Sequence, residues 1–106
     1  MELNANYLDE IRKKKFFYKM GVLCGKTLYA TFKFNDFDRL IKSASDTSQK
    51  YGRDMFLCRF VIQAFSDSSY DFDTSCFSQV ECPVNRIALD VELIAKMILG
   101  DYKNGT

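Results

Sequence analysis

The sequence predicts an α+β domain, with elements in the order α-β-β-α-β-β-α and an antiparallel or mixed sheet covered by helices. Three observations carry this. Residues 36–50 repeat apolar side chains at helical spacing along a single stripe, residues 24–34 alternate with a period of two, and residues 53–65 form a nearly continuous apolar run. With 106 residues, the chain has the length of one domain, read as 1–106.

The first helix is expected over roughly 6 to 15, capped by Asn4 or Asn6, with Tyr7, Leu8 and Ile11 at helical spacing. The aromatic stretch "FFYKMGVLC" reads as a strand with Gly21 as a bulge. After a turn at Gly25, a second strand places Leu28, Ala30, Phe32 and Phe34 on one face and Tyr29, Thr31 and Lys33 on the other. The next helix is capped by Asn35 or Asp36 and turns Phe37, Leu40, Ile41 and Ala44 inward. Asp38–Lys42 and Asp46–Lys50 are spaced as i, i+4 pairs on its wet side, and Gly52 ends it.

"RDMFLCRFVIQAF" is apolar on both faces, the pattern of a central strand covered on two sides. Phe56, Cys58, Phe60, Ile62 and Ala64 line one face; Met55, Leu57, Val61 and Phe65 line the other, with Arg59 requiring a carboxylate or carbonyl partner. "SDSSYDFDTS" is a polar loop, "CFSQVEC" a short returning strand, and Pro83 opens the last helix.

That last helix, within "PVNRIALDVELIAKMILG", is unlike the one at 36–50. At 100° steps from Ile87, Val91, Ile94 and Ile98 return to within about 40° and form a tight stripe, widened by Ala88, Ala95 and Leu99. Leu89, Leu93 and Met97 fall on a second arc, flanked by Arg86 and Asp90. Asn85, Glu92 and Lys96 leave only a narrow wet edge. Either the first helix packs over the second arc, or another protein covers it, including a second copy of this chain.

Composition bounds the function classes. The chain is 47% hydrophobic with ten Phe and six Tyr, enough for a core without disulfides or metal. It has no His, so no His general base, no Ser–His or Cys–His pair and no His metal ligand. "GVLCGK" lacks phosphate-loop spacing, and Asp67, Asp71 and Asp73 lack the spacing of a calcium loop. The expectation is a non-enzymatic protein-interaction or regulatory module with no metal and no cofactor.

Cys24, Cys58, Cys76 and Cys82 form no C-x-x-C pair, and all four are expected to be reduced and structural. With no secretory leader and no apolar run of spanning length, that predicts an intracellular protein without a membrane role. Net charge is +1, but residues 1–53 carry 11 Lys or Arg against 6 Asp or Glu, and residues 54–106 carry 4 against 8. A chain so divided can pair its halves, pair with a copy, or meet a charged partner.

A second functional reading rests on "IRKKKFFYK". Arg12, Lys13, Lys14, Lys15 and Lys19 surround three aromatics, the composition of a nucleic-acid contact. Its structural counterpart is a solvated helix end followed by a core strand. The acidic loop at 66–75 is then either a solvated turn or the counterpart of this basic stretch.

Three further stretches, "GKTLYA" at 25–30, "FLCRFVI" at 56–62 and "VNRIALDVELI" at 84–94, resemble successive segments of poly(ADP-ribose) polymerase catalytic domains. By this resemblance Tyr29 stands for the Tyr and Glu92 for the Glu of an NAD site. The family's His has no counterpart here, its N-terminal strands are absent, and 84–99 reads as a helix where that family has a strand. The resemblance implies at most a degenerate ADP-ribosyltransferase-like domain.

Overall fold

Helix α1 (Tyr7–Lys14) starts where the Asn6 side chain accepts a hydrogen bond from the Asp9 amide at 3.1 Å, and ends at Lys15 in the left-handed conformation, φ 53°. The structure is a computed structural model that describes residues 6–55 and 57–105, excepting the side chains of Ala30, Ala88 and Leu89. Strands β1 (Phe17–Cys24) and β2 (Thr27–Phe34) make a hairpin whose turn uses the positive φ of Gly25. Helix α2 (Phe37–Tyr51) is capped by Asp36, whose carboxylate accepts from the Arg39 amide. Strands β3 (Cys58–Phe65) and β4 (Cys76–Pro83) follow, then a single 3₁₀ turn (Val84–Arg86) and helix α3 (Ile87–Asn104).

Among the described residues four strands pair antiparallel in the order β2-β1-β3-β4, so the α+β order read from the sequence holds. Tyr18, Met20, Phe60, Ile62, Ala64, Val80 and Cys82 line the inner face of the sheet. The helices lie on that face and complete one core with Ile11, Phe37, Leu40, Ala44, Ile94, Ile98 and Leu99. This is a two-layer packing of helices on a sheet.

Three details depart from the expectations. β3 is central, but only one of its faces is covered by helices; the other carries Arg59, Val61 and Gln63 toward the open side of the sheet. The run before it does not extend as strand from residue 53. The chain leaves α2 through turns, with Met55 N–H bonded to Tyr51 O and Cys58 N–H to Met55 O, leaving Leu57 78% exposed. Phe56 lies outside the described residues. The pairing of β1 with β2 is irregular between Gly21 and Leu23, as a bulge there predicts. In consequence Leu28 sits over Gly21 on the open face, together with Thr31, instead of sharing a face with Phe32 and Phe34.

On the open face the polar loop folds back on the sheet. Tyr70 packs edge-on against Phe17 and Phe65 and donates its hydroxyl to the Phe34 carbonyl at 3.2 Å. Its own carbonyl accepts from Lys19 Nζ, and Lys33 lies 4.7 Å from its ring. Arg59 finds the carboxylate it requires in Glu81 across the β3–β4 pair, at 2.6 Å. On α2 Lys42 pairs with Asp46 at 3.3 Å and Asp38 with Arg12 of α1 at 2.9 Å, in place of the expected Asp38–Lys42 and Asp46–Lys50 pairs.

Candidate protein-binding face

Helix α3 reaches the sheet through Ile87, Ile94, Ala95, Ile98 and Leu99, all buried. Two clamps fix its roll. The Ser78 hydroxyl on β4 donates to the Asp101 carboxylate at 2.5 Å, and Tyr102 stacks with Phe16 and Phe77 at centroid distances of 4.8 and 5.1 Å. On its other flank α1 lies alongside, with Lys103 bonded to Glu10 at 3.1 Å and Lys96 over the Tyr7 ring.

With the roll fixed this way, α1 packs along the side of α3 rather than over its outer arc. Leu93 is 53% and Met97 44% exposed, one turn apart, while Ile98 and Ile94 behind them are sealed. Of the other residues expected at this face, Arg86 is exposed at the end of the 3₁₀ turn. Asp90 is half-buried and close enough to Cys82 that its charge adds to burial in raising that thiol's pKa. The side chain of Leu89 lies outside the described residues. The structure therefore brings Leu93 and Met97 together on one accessible stripe, with Arg86 and Asp90 toward its N-terminal end. Gly100 adds open space one heptad beyond Leu93.

The basic residues of the second reading are dispersed. Arg12 is held by Asp38 at 2.9 Å and by Asp9, and the carboxylate of Asp38 raises its pKa. Lys13 is exposed on α1, Lys14 lies over Tyr102, and Lys15 caps the helix. Lys19 is on the opposite side of the sheet, against the Tyr70 loop. Phe16 and Tyr18 are buried in the core, so their faces are spent on packing. The acidic loop does not neutralise this cluster with carboxylates. Asp67 accepts from Ser69 and Asp71 from the Asp73 and Thr74 amides, so these two carboxylates cap the loop's own turns.

The cysteines require a correction. Cys24 and Cys58 stand directly opposite each other on β1 and β3, with Cα atoms 4.3 Å apart, and are joined as a disulfide. Both were expected as free thiols. The bridge removes the thiol argument for an intracellular setting, because disulfides persist chiefly in oxidising compartments. Cys76 and Cys82 are free, and burial raises the pKa of each, that of Cys82 to about 11.

Neither does the structure assemble the NAD residues suggested by resemblance. Tyr29 is on β2 at one edge of the sheet, whereas Glu92 is on α3, which lies along β4 at the other edge. The segment 84–99 is helical after its first turn.

Sequence reasoning missed a groove of about 550 Å³ where the end of α1 meets the start of α2, with Arg12, Lys15, Phe17, Asp36 and Arg39 on its walls. Tyr18 lines it from below. Its hydroxyl is buried without a hydrogen-bond partner among the described residues, and burial, then the charge of Asp36, pushes its pKa up. The alternation of β1 marks Tyr18 as inward-facing, but only the packing of two helix ends shapes the groove. Among the described residues no group of three or more His, Cys, Asp or Glu is placed to hold a metal, and no helix is long and apolar enough to cross a membrane. No protein-family model matches the chain, and neither a curated protein nor a solved structure matches it.

Proposed function

We propose that this chain is a non-enzymatic protein-binding module that acts through the outer face of α3. The observation that supports this reading is the pair Leu93 and Met97, exposed one turn apart on a helix whose opposite side is sealed in the core. Exposed apolar side chains scattered singly have no special meaning; adjacent ones on a helix held rigidly from behind form an anchor for a partner. Arg86, Asp90 and Asp101 give the stripe a polar margin able to set orientation. A helix presented in this way docks against an apolar groove or a second helix, its anchors read at i and i+4.

The test is a photoreactive amino acid at position 97, with a control at the exposed Gln49 on α2. Irradiation of the full chain, alone and in extract of its native cells, is expected to give a protein adduct at 97 and none at 49. Absence of any adduct at 97, or equal adducts at both positions, contradicts the reading.

A further inference from the structure

We infer that the groove between the end of α1 and the start of α2 binds a small organic acid. The acid's carboxylate or phosphate oxygen accepts a hydrogen bond from Tyr18 at the floor. This site is separate from the outer face of α3 and stands or falls independently of it.

A buried hydroxyl without a partner costs stability, and a phenylalanine of the same shape carries no such cost. The chain uses phenylalanine at the two preceding positions, Phe16 and Phe17, yet keeps a hydroxyl at 18. Tyr18 is 1% exposed, and its hydroxyl has no hydrogen-bond partner among the described residues. The hydroxyl end of the ring is the end near the groove. Phe37, the first residue of α2, packs edge-on against the ring at 5.8 Å, and the charge of Asp36 reaches the hydroxyl. Burial, then that charge, pushes the pKa up, so Tyr18 keeps its proton and offers a donor.

The walls decide which acceptor the groove favours. Lys15 and Arg39 stand exposed on them. Arg12 is bound by Asp38 at 2.9 Å, so that pair adds no net charge. The Asp36 carboxylate accepts from the Arg39 amide as the cap of α2. Behind this cap a helix of 15 residues turns the positive end of its dipole to the groove. The negative end of α1 is met by Lys13 and Lys14 in its own last turn. Two cations and a helix N-terminus against one capping carboxylate favour an anion. The volume of about 550 Å³ suits a small molecule rather than a single ion, and Ile11 and Phe17 give its organic body an apolar wall.

The probes are benzoate and phenyl phosphate, with benzyl alcohol as the neutral counterpart, titrated into the full chain. Binding is read from the NMR ring signals of labelled tyrosine, with Tyr18 assigned by its loss in Tyr18→Phe. At least one acid should bind saturably, with a dissociation constant of roughly millimolar or tighter, and the tighter of the two identifies the head group. Benzyl alcohol should bind at least about tenfold more weakly. Tyr18→Phe and Arg39→Gln should each weaken the acid at least about tenfold, read for these variants by calorimetry. Lys26→Gln, in the turn at the far end of β1, should leave it unchanged. Without ligand, Tyr18→Phe should melt no lower than the parent, because it removes an unpaired polar group. A lower melting temperature would show that the hydroxyl has a partner inside the fold, and overturns the inference. So does failure of both acids to bind saturably, and so does benzyl alcohol binding as well as they do. An affinity unchanged in Tyr18→Phe or in Arg39→Gln, or one lost equally in Lys26→Gln, overturns it as well.

Discussion

The Ser78 hydroxyl donates to the Asp101 carboxylate at 2.5 Å, joining the middle of β4 to the last turn of α3. Ser78 is buried and Asp101 exposed, so the bond holds the helix at the edge of the sheet without sealing its outer side. Together with the Phe16–Phe77–Tyr102 cluster, it decides which arc of α3 meets the core. Leu93 and Met97 point outward because these contacts point Ile94 and Ile98 inward.

Ser78→Ala should therefore cost about 1 kcal/mol, the usual net worth of a hydrogen bond whose acceptor keeps access to water. Urea unfolding of the variant against the parent measures this. A midpoint unchanged within error would show that the bond does not hold the helix.

Reduction of Cys24–Cys58 frees a loop with a sequence separation of 34 residues. Chain entropy alone gives the bridge a stabilisation of about 4 kcal/mol at most. Unfolding with and without reductant should differ by a large part of that amount, and Cys24→Ser with Cys58→Ser should reproduce the reduced curve. Identical midpoints would mean that the two cysteines are not joined in solution.

Burial, reinforced by Asp90, pushes the Cys82 thiol up to about 11, against about 8.5 for a thiol in water. The unfolded chain thus releases this proton first as pH rises, and binds fewer protons than the native state over that interval. Stability should be complete below the unfolded value and fall as pH climbs toward the folded one. Cys82→Ala should flatten the decline between pH 8.5 and 10, about the interval in which the exposed thiol ionises first. An equal slope in parent and variant contradicts the assignment. In the native protein Cys82 should also resist alkylation at neutral pH more than the partly accessible Cys76.

The sequence made the order of elements legible because each carries a local signal. Asp36 before a one-sided stripe, Gly25 at a turn, and Pro83 ahead of helical periodicity act within a few residues of themselves. The two-arc character of α3 was legible for the same reason. What escaped depends on registers between distant segments. Cys24 faces Cys58 only once β1 and β3 pair as they do, and no spacing rule announces that pairing. The second apolar face attributed to the 53–65 run was misread because part of it, Met55 and Leu57, lies in the turns after α2. Another part, Phe65, is covered by Tyr70 from the loop instead of by a helix. The basic stretch read as one patch divides between two sides of the sheet, because Arg12 to Lys15 end a helix and Lys19 lies in a strand.

The most direct test of the account is the unfolding free energy of Leu93→Ala set against that of Ile98→Ala, at a concentration too low for self-association. Both remove apolar groups from the same helix, five residues apart. If the chain shelters only one arc of α3, Ile98→Ala should cost about 3 kcal/mol and Leu93→Ala no more than about 0.5 kcal/mol. Comparable losses at the two positions would place Leu93 inside the chain's own core and leave no surface for a partner.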